Sequence, residues 1–501
     1  MAKVKINGKD FEVPTGQNLV DAAENLGIDI PHYCYHPGLS IAGQCRMCYV
    51  EQPGNSKLQI ACNMKCSDGL EVITDSPKVK DAVKWSLEFH LINHPIDCPI
   101  CDQAGECGLQ DYYMEVGKYS SEMREHKQIK QKAVDLGEKI VLDKERCILC
   151  GRCVRFTQEV SKTSELGIYN RGDRSVIGTV NDEVMKDNYQ VNTVDICPVG
   201  ALTSKDFRFE QRVWFLKEVS SVCNGCSAGC NVDTHHKSGK HIYRLKPRYN
   251  PEVNEYWMCD DGRPTYKTAN YDHRLTAAKL GGVELPTNEA VTTWMNDLRT
   301  LIATERTDEI AAWIHPDLTS EEITSIVKTL RDEFGISQFY SEDADKSARD
   351  DKTVDQLLKR ADLWCNTQGF LKVTSALKLK LGSLNQLEER LAQAKINHLV
   401  IFGSEKNVGV QSLKRIRAAL PADCFTVLIS PRLQNAELFS HSLAIPSISH
   451  YEKNGTIMNW KKIEQKLGSD FRMFKSAWSV EEILTSLSQE YQRPQKEVSR
   501  A

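Results

Sequence analysis

The 501-residue chain has no run of about 18 apolar residues, the length a membrane-spanning helix needs. It also has no excess of basic charge. With 64 Lys and Arg against 68 Asp and Glu, its net charge of −4 gives no field for nucleic acid, so none is expected as a partner. Its first residues, Met-Ala-Lys-Val-Lys-Ile, carry no apolar signal core and no Arg/Ser-rich leader, which predicts a cytoplasmic protein. The second half shows no Gly-x-Gly-x-x-Gly after a strand and no phosphate loop, so nothing there supports a nucleotide site. That half is also poor in cysteine: beyond residue 259 only Cys365 and Cys424 occur. The other sixteen of the 18 cysteines lie before residue 260, and in a reducing compartment they are expected as metal ligands rather than disulfides.

The densest stretch is His94-Pro-Ile-Asp-Cys98-Pro-Ile-Cys101-Asp-Gln-Ala-Gly-Glu-Cys107. Cys-x2-Cys sets two sulfurs on one turn, Cys107 returns a third past Gly105, and His94 is a candidate fourth ligand. His90, Asp97 and Cys66 compete with it. Such a set suits a [4Fe-4S] cluster, with zinc held by three cysteines and one histidine as the alternative. Ahead of it, Cys34, Cys45, Cys48 and Cys62 are spaced Cys-x10-Cys-x2-Cys-x13-Cys with glycines between them, and four thiolates around two irons fit a [2Fe-2S] centre. In the loop Ala42–Cys48, backbone amides are expected to approach sulfur and help set the reduction potential. Cys66 is left over and reads as a small buried thiol.

A third group, Cys147, Cys150 and Cys153, has Thr157 where a two-cluster ferredoxin has its next cysteine. The missing ligand is supplied by Cys197 of Asp195-Ile-Cys-Pro-Val-Gly-Ala201, closing one [4Fe-4S] site from both ends. A fourth group, Cys223, Cys226, Cys230 and Cys259, also reads as a [4Fe-4S] site, with a zinc ribbon as its alternative.

Residues 3–6 and 10–13 alternate around Asn7-Gly8, which predicts a hairpin, and 18–26 predict a short helix stopped by Gly27. Strands near 47–51, 58–61 and 71–74 would complete a β-grasp sheet. Val79, Val83, Leu87 and Leu91 predict a helix over 78–92, and residues 176–194 contain strand-like patches. From about residue 273 strands alternate with helices. Ile310–Ile314, His398–Phe402 and Phe425–Ile429 read as buried strands. Val291, Trp294, Met295, Leu298 and Ile302 form one helical stripe; Ile323, Ile326, Val327 and Leu330 form another, with Thr319 and Glu322 as a capping box and Gly335 as the stop. This pattern predicts a parallel α/β domain.

Four stretches together resemble one family, the large iron–sulfur subunits (the G type) of bacterial respiratory complex I. They are Gly43-Gln-Cys-Arg-Met-Cys-Tyr-Val-Glu51, the run from Cys98 to Asp111, the run from Arg146 to Phe156, and Val194-Asp-Ile-Cys-Pro-Val-Gly-Ala-Leu202. The resemblance implies that His94 is a cluster ligand. The Cys223–Cys259 set resembles the cluster at the head of molybdopterin oxidoreductases, and Ser442–Lys461 resembles a segment near the end of that superfamily's domain. The implied architecture is α+β and multidomain: a [2Fe-2S] ferredoxin-like domain at 1–78, a [4Fe-4S] domain with one histidine and three cysteine ligands at 79–140, a ferredoxin-like [4Fe-4S] domain at 141–215, a molybdopterin-oxidoreductase-type [4Fe-4S] domain at 216–272, and a shortened molybdopterin-oxidoreductase-like α/β domain without pterin at 273–501. The implied role is that of an electron-transfer subunit, with no catalytic residue of its own, in an NADH–quinone oxidoreductase that translocates protons. Electrons would come from an NADH/FMN-binding flavoprotein and pass toward quinone. Ferredoxin-like and quinone-site subunits would be the neighbours, on the cytoplasmic side of the bacterial inner membrane, with the membrane arm contacted only indirectly. One [2Fe-2S] and three [4Fe-4S] clusters are expected, and no molybdopterin. The alternatives are an electron-transfer subunit of a soluble NAD-linked formate dehydrogenase or hydrogenase, and a zinc-stapled scaffold.

Overall fold

The alternation near the N-terminus becomes a hairpin in the computed structural model, which describes residues 1–118, 120–342, 354–355, 357–439 and 441–493, with only the backbone of Asn407 and Val408. Parts of the expected 273–501 domain therefore lie outside the described residues. Strands Ala2–Ile6 and Lys9–Val13 pair antiparallel, from Ala2 opposite Val13 to Ile6 opposite Lys9. Asn7 and Gly8 turn the chain with φ of 52° and 77°, the left-handed pair that Asn-Gly adopts in tight hairpins. Helix Leu19–Asn25 is capped by Asn18, whose side chain accepts from Val20 N, and the chain leaves it through Gly27 at φ 73°.

Strand Leu70–Val72 adds parallel to Ala2–Ile6, giving a three-stranded sheet. Tyr49–Val50 and Gln59–Ile60 do not join it. They form their own short hairpin, connected to the sheet through an isolated Glu51–Ile73 bridge, so the expected single β-grasp sheet is divided. The residues before Tyr49 are bent into a cysteine loop, with Gly43 at φ 62° and Arg46 at φ 56°, which leaves little extended chain for sheet pairing.

The chain separates into two compact units, Met1–Phe215 and Leu216–Ala501. In the first, Ser76 and Pro77 start helix Pro77–Leu91, which buries Val79, Val83 and Leu87 in a core shared with Tyr33, Cys34, Cys45 and Leu109. Helix Gly108–Val116 follows the densest cysteine stretch, and helix Arg152–Arg155 continues as a π turn over Phe156–Val160. The strand-like reading of 176–194 holds only at its start. Val176–Thr179 pairs with Leu166–Tyr169, whereas Asn192–Asp195 is helical, because amides at 192, 193 and 194 turn back to carbonyls at 189, 190 and 191.

The second unit opens with the antiparallel meander Lys217–Val222, Asn231–Lys237 and His241–Pro247. Its eight-stranded sheet runs in the order Val283–Leu285, Ala278–Leu280, Leu443–Pro446, Phe425–Ser430, His398–Phe402, Ile310–Trp313, Gln338–Tyr340 and Leu381–Gly382. The last six are mutually parallel and the first two form an antiparallel edge. Successive strand residues face opposite sides. Ala312, Val400 and Val427 pack in one core with Trp294, Leu298, Ile326 and Ile483, while Ala311, Leu399 and Leu428 pack in another with Leu387, Leu391 and Leu413. Helix Ser320–Val327 carries the predicted Thr319–Glu322 capping box.

Arg274 and Glu452 form an ion pair whose side chains are both 0% exposed. Glu452 also accepts from Ser449 N and Met473 N, while Arg274 donates to the Ser447 and Ala269 carbonyls. Removing one partner strands the other charge in the interior, at a cost of about 3–5 kcal/mol. Glu452→Ala is therefore expected to destabilise this unit by that amount in denaturant titrations, followed through the buried Trp294 and Trp313. An unchanged midpoint would show that the pair does not hold the unit together.

Candidate metal centres

Cys34, Cys45, Cys48 and Cys62 are each no more than 5% exposed and come together in two hydrogen-bonded pairs. Sharing a hydrogen bond with Cys45 draws Cys34 down to about 5 and pushes Cys45 up; Cys62 and Cys48 divide in the same way. The amides of Gln44 and Cys45 are aimed at Cys34 sulfur and that of Met47 at Cys45 sulfur, from within the predicted loop. His90 is engaged here, 3.0 Å from the Cys45 carbonyl through Nε2 and edge-on to Tyr33. Cys66 lies in the N-terminal core with Val4, Leu19 and Val72, and burial raises its pKa.

Helix Pro77–Leu91 leads the chain to His94, which lines a cavity of about 290 Å³ with Cys98 and Cys107. Its Nδ1 is enclosed and has no hydrogen-bond partner. Burial, helped by Lys127 and Arg146, holds the imidazole down to about 4, which keeps it neutral near pH 7. Asp97, the other candidate, is taken by Lys132 at 2.7 Å and Arg146 at 3.0 Å. Cys101 faces Gly200 of the third set, where an added Cβ would collide with its sulfur and stand 3.1 Å from Gln103 Cβ. Gly108 N donates to the Pro198 carbonyl at 3.1 Å, so the loops of the second and third sets abut.

Cys147, Cys150, Cys153 and Cys197 line one apolar pocket with Leu142, Ile177, Val199 and Leu202. Burial pushes all four thiols above the usual range, Cys150 to about 11. Amides of Val199, Ala201 and Leu202 point at Cys197 sulfur, and Leu149 N donates to Cys147 sulfur at 3.4 Å. In the second unit, Cys223 follows one strand of the meander and Cys230 precedes the next, joined by Cys223 N donating to the Cys230 carbonyl at 2.8 Å. Cys226 lies in the loop between them, and Cys259 comes close enough that a Cβ on Gly262 would stand 2.9 Å from Cys223 sulfur and 3.5 Å from Cys259 sulfur. Gly225 N donates to Cys223 sulfur at 3.3 Å.

These surroundings fit iron–sulfur groups in three respects: clustered free thiols, amides directed at sulfur, and an orphaned imidazole nitrogen beside two more thiols. Among the described residues no group of three or more His, Cys, Asp or Glu converges closely enough for a single ion.

Family models match along the same regions: a 2Fe-2S iron–sulfur cluster binding domain at 1–77, an NADH-ubiquinone oxidoreductase-G iron–sulfur binding region at 84–121, a ferredoxin-like domain of NADH-quinone oxidoreductase subunit 3 at 137–203, and a molybdopterin oxidoreductase Fe4S4 domain at 216–271. The chain is 41% identical over 286 residues to the NADH-quinone oxidoreductase G subunit of Streptomyces coelicolor, covering 57% of this chain and 34% of that protein. It is 34% identical over 417 residues to the NADH-ubiquinone oxidoreductase 75 kDa subunit of Reclinomonas americana, covering 81% of this chain and 59% of that protein. In these regions the chain is similar to NADH-quinone oxidoreductase G subunits. It spans between 34% and 59% of the length of these two relatives. It is also similar to a chain of a solved NAD+-reducing [NiFe]-hydrogenase, with 28% identity and a TM-score of 0.39, covering 42% of this chain and 91% of that one. No described helix is long and apolar enough to cross a membrane.

Three features of these sites were not read from the sequence. Arg152 and Arg155 reach the loop of the first cysteine set, Gly200 gives Cys101 its space, and His90 supports the Cys45 carbonyl. The signal for the arginines was present: Arg146, Arg152 and Arg155 are interleaved with three cysteines in ten residues. Gly200→Ala is expected to force the Cys197 loop away from Cys101 and destabilise the first unit by about 1–3 kcal/mol, as overpacking does. A denaturation midpoint equal to wild type would show that the loop moves freely.

Proposed function

We propose that this chain is an electron-transfer subunit of an NADH–quinone oxidoreductase, carrying electrons from an NADH/FMN flavoprotein toward quinone in a complex that translocates protons. The observation that carries this reading is the gathering of four cysteine-rich ligand sets, each inside a region matched by an iron–sulfur family model. The ligands are Cys34, Cys45, Cys48 and Cys62 for a [2Fe-2S] cluster. His94, Cys98, Cys101 and Cys107, then Cys147, Cys150, Cys153 and Cys197, then Cys223, Cys226, Cys230 and Cys259 hold one [4Fe-4S] cluster each. No molybdopterin is required. The neighbours are ferredoxin-like and quinone-site subunits on the cytoplasmic side of the bacterial inner membrane.

Bound there, iron–sulfur clusters supply reversible one-electron chemistry with no bond made or broken in a substrate. The chain's own residues do the rest. The thiols give up their protons as they load with metal, so binding releases protons and stabilises the folded sites. Amides of Gln44, Leu149, Val199 and Gly225 donate to sulfur, which favours the anionic state. His94, held neutral by burial, offers nitrogen without first losing a proton.

Anaerobic purification tests the reading. The chain should carry about fourteen irons, two at the first set and four at each of the others, with visible absorption bleached by dithionite and a flavoprotein and membrane subunits among co-purifying partners. About one zinc per cysteine set would sink it. His94→Ala should alter the EPR signal of the second cluster and leave the other three unchanged. An unaltered spectrum would move the fourth ligand to another residue.

A further inference from the structure

Arg152 lies on the helix that carries Cys153, and its guanidinium joins two cysteine sets. One amino group donates to the Ile196 carbonyl at 3.1 Å, directly before Cys197, and the other to the Tyr35 carbonyl, directly after Cys34. Its Nε is enclosed and has no hydrogen-bond partner. Among the described residues no carboxylate stands within ion-pair distance of it, although a cation withdrawn from water needs an opposite charge nearby. The groups that act on it are thiols of both sets, Cys150 and Cys197 on one side and Cys34 and Cys45 on the other, which turn negative when they bind metal. Arg155, one turn on, donates to the Cys34 and Ser40 carbonyls, while Glu159 accepts from Ser40 N at 2.8 Å and Gln44 Nε2 donates to the Leu149 carbonyl at 2.8 Å. These bonds keep the Cys34–Cys45 loop against the helix and hold the guanidinium between the two sets.

We propose that Arg152 is a shared counter-charge for the first and third centres, raising the reduction potential of both by stabilising their reduced, more negative states. The inference rests on the cluster assignment above. A fixed positive charge in a water-poor interior acts more strongly than one in solvent, and a guanidinium keeps its charge throughout the accessible pH range. Among the described residues of the first unit, the second set has no such bond to Arg152.

The test is an EPR-monitored redox titration of the full chain with its clusters in place. For Arg152→Gln, the reduced-to-oxidised ratio of the first and third clusters at their wild-type midpoints should fall about tenfold, a shift of about 59 mV for one-electron couples, with the second unmoved. Arg152→Lys, which keeps the charge, should hold both ratios within about threefold of wild type, or about 30 mV. A shift in only one cluster, no shift in either, or a lysine variant as low as the glutamine variant would overturn the proposal. If the glutamine variant loses its clusters, the lysine variant decides alone, because a tenfold fall in either ratio overturns it. A wild-type chain with no cluster signals would instead remove the assignment on which the proposal rests.

Discussion

The constraint on which the first unit depends is the cost of holding negative sulfur inside protein. A thiol must lose its proton to bind iron, and a water-poor interior opposes that loss. The pocket of Cys147, Cys150, Cys153 and Cys197 is walled by Leu142, Ile177, Val199 and Leu202, and burial raises every one of its thiols. What offsets that opposition is local: amides turned toward sulfur, guanidinium groups drawn in from neighbouring turns, and the metal charge itself. Tight loops follow from this need, since only a chain bent at Gly43, Arg46, Leu149 and Gly151 into left-handed conformations aims successive amides inward.

The second unit meets the same constraint with fixed ion pairs. Arg274 faces Glu452, and Lys453 faces Glu322 at 2.8 Å. Burial lifts Glu405 to about 7 and holds His450 down to about 4. The neutral His450 ring donates to the Val222 carbonyl at 2.8 Å, which ties the sheet's connecting turns to the residue before Cys223. The fourth cysteine set and the α/β sheet thus share one body, and Tyr451 adds a second tie through Asn224 at 3.2 Å.

Much of this was legible in the chain. Periodicity found the buried strands and the helical stripes because one face of each is apolar, and Asn7-Gly8 found the hairpin because few other pairs accept two left-handed residues. The division of the expected β-grasp sheet was not legible, since it depends on how tightly residues 43–48 are bent and not on the β-propensity of Tyr49 or Ile60. The helical turn at 192–195 was missed because Val191 and Val194 look like strand residues and are turned by local carbonyls. At the sites, cysteine spacing is what suggests the sets, but the partners of His90, Asp97 and Arg152 depend on contacts between segments dozens of residues apart. Ranking His94 against His90 needs that information. His90 is already bonded to the Cys45 carbonyl, whereas His94 Nδ1 is enclosed and unpartnered beside Cys98 and Cys107.

Burial alone does not separate the proposed ligand thiols from packing thiols, because Cys66 is 1% exposed and Cys365 0%, as deep as Cys34 or Cys48. The difference lies in what meets the sulfur. Burial is the influence that raises Cys66, and burial leads at Cys365 as well, pushing it to about 12 with Cys223 adding to the rise. Burial leads at Cys101, Cys107, Cys150 and Cys259 too, but these meet directed donors besides: Gln103 toward Cys101, Leu109 and Gln110 toward Cys107, Arg152 toward Cys150, Gly262 toward Cys259. An amide aimed at a thiol has little value for a neutral S–H and much for an anionic sulfur. A backbone that turns amide after amide toward particular sulfurs has conformational restrictions to overcome at each turn, and those restrictions are offset only when the sulfur carries charge. The same reasoning accounts for Gly225 and Gly262, where a Cβ would stand within 3.3 Å of Cys223 sulfur, so the backbone itself makes the approach.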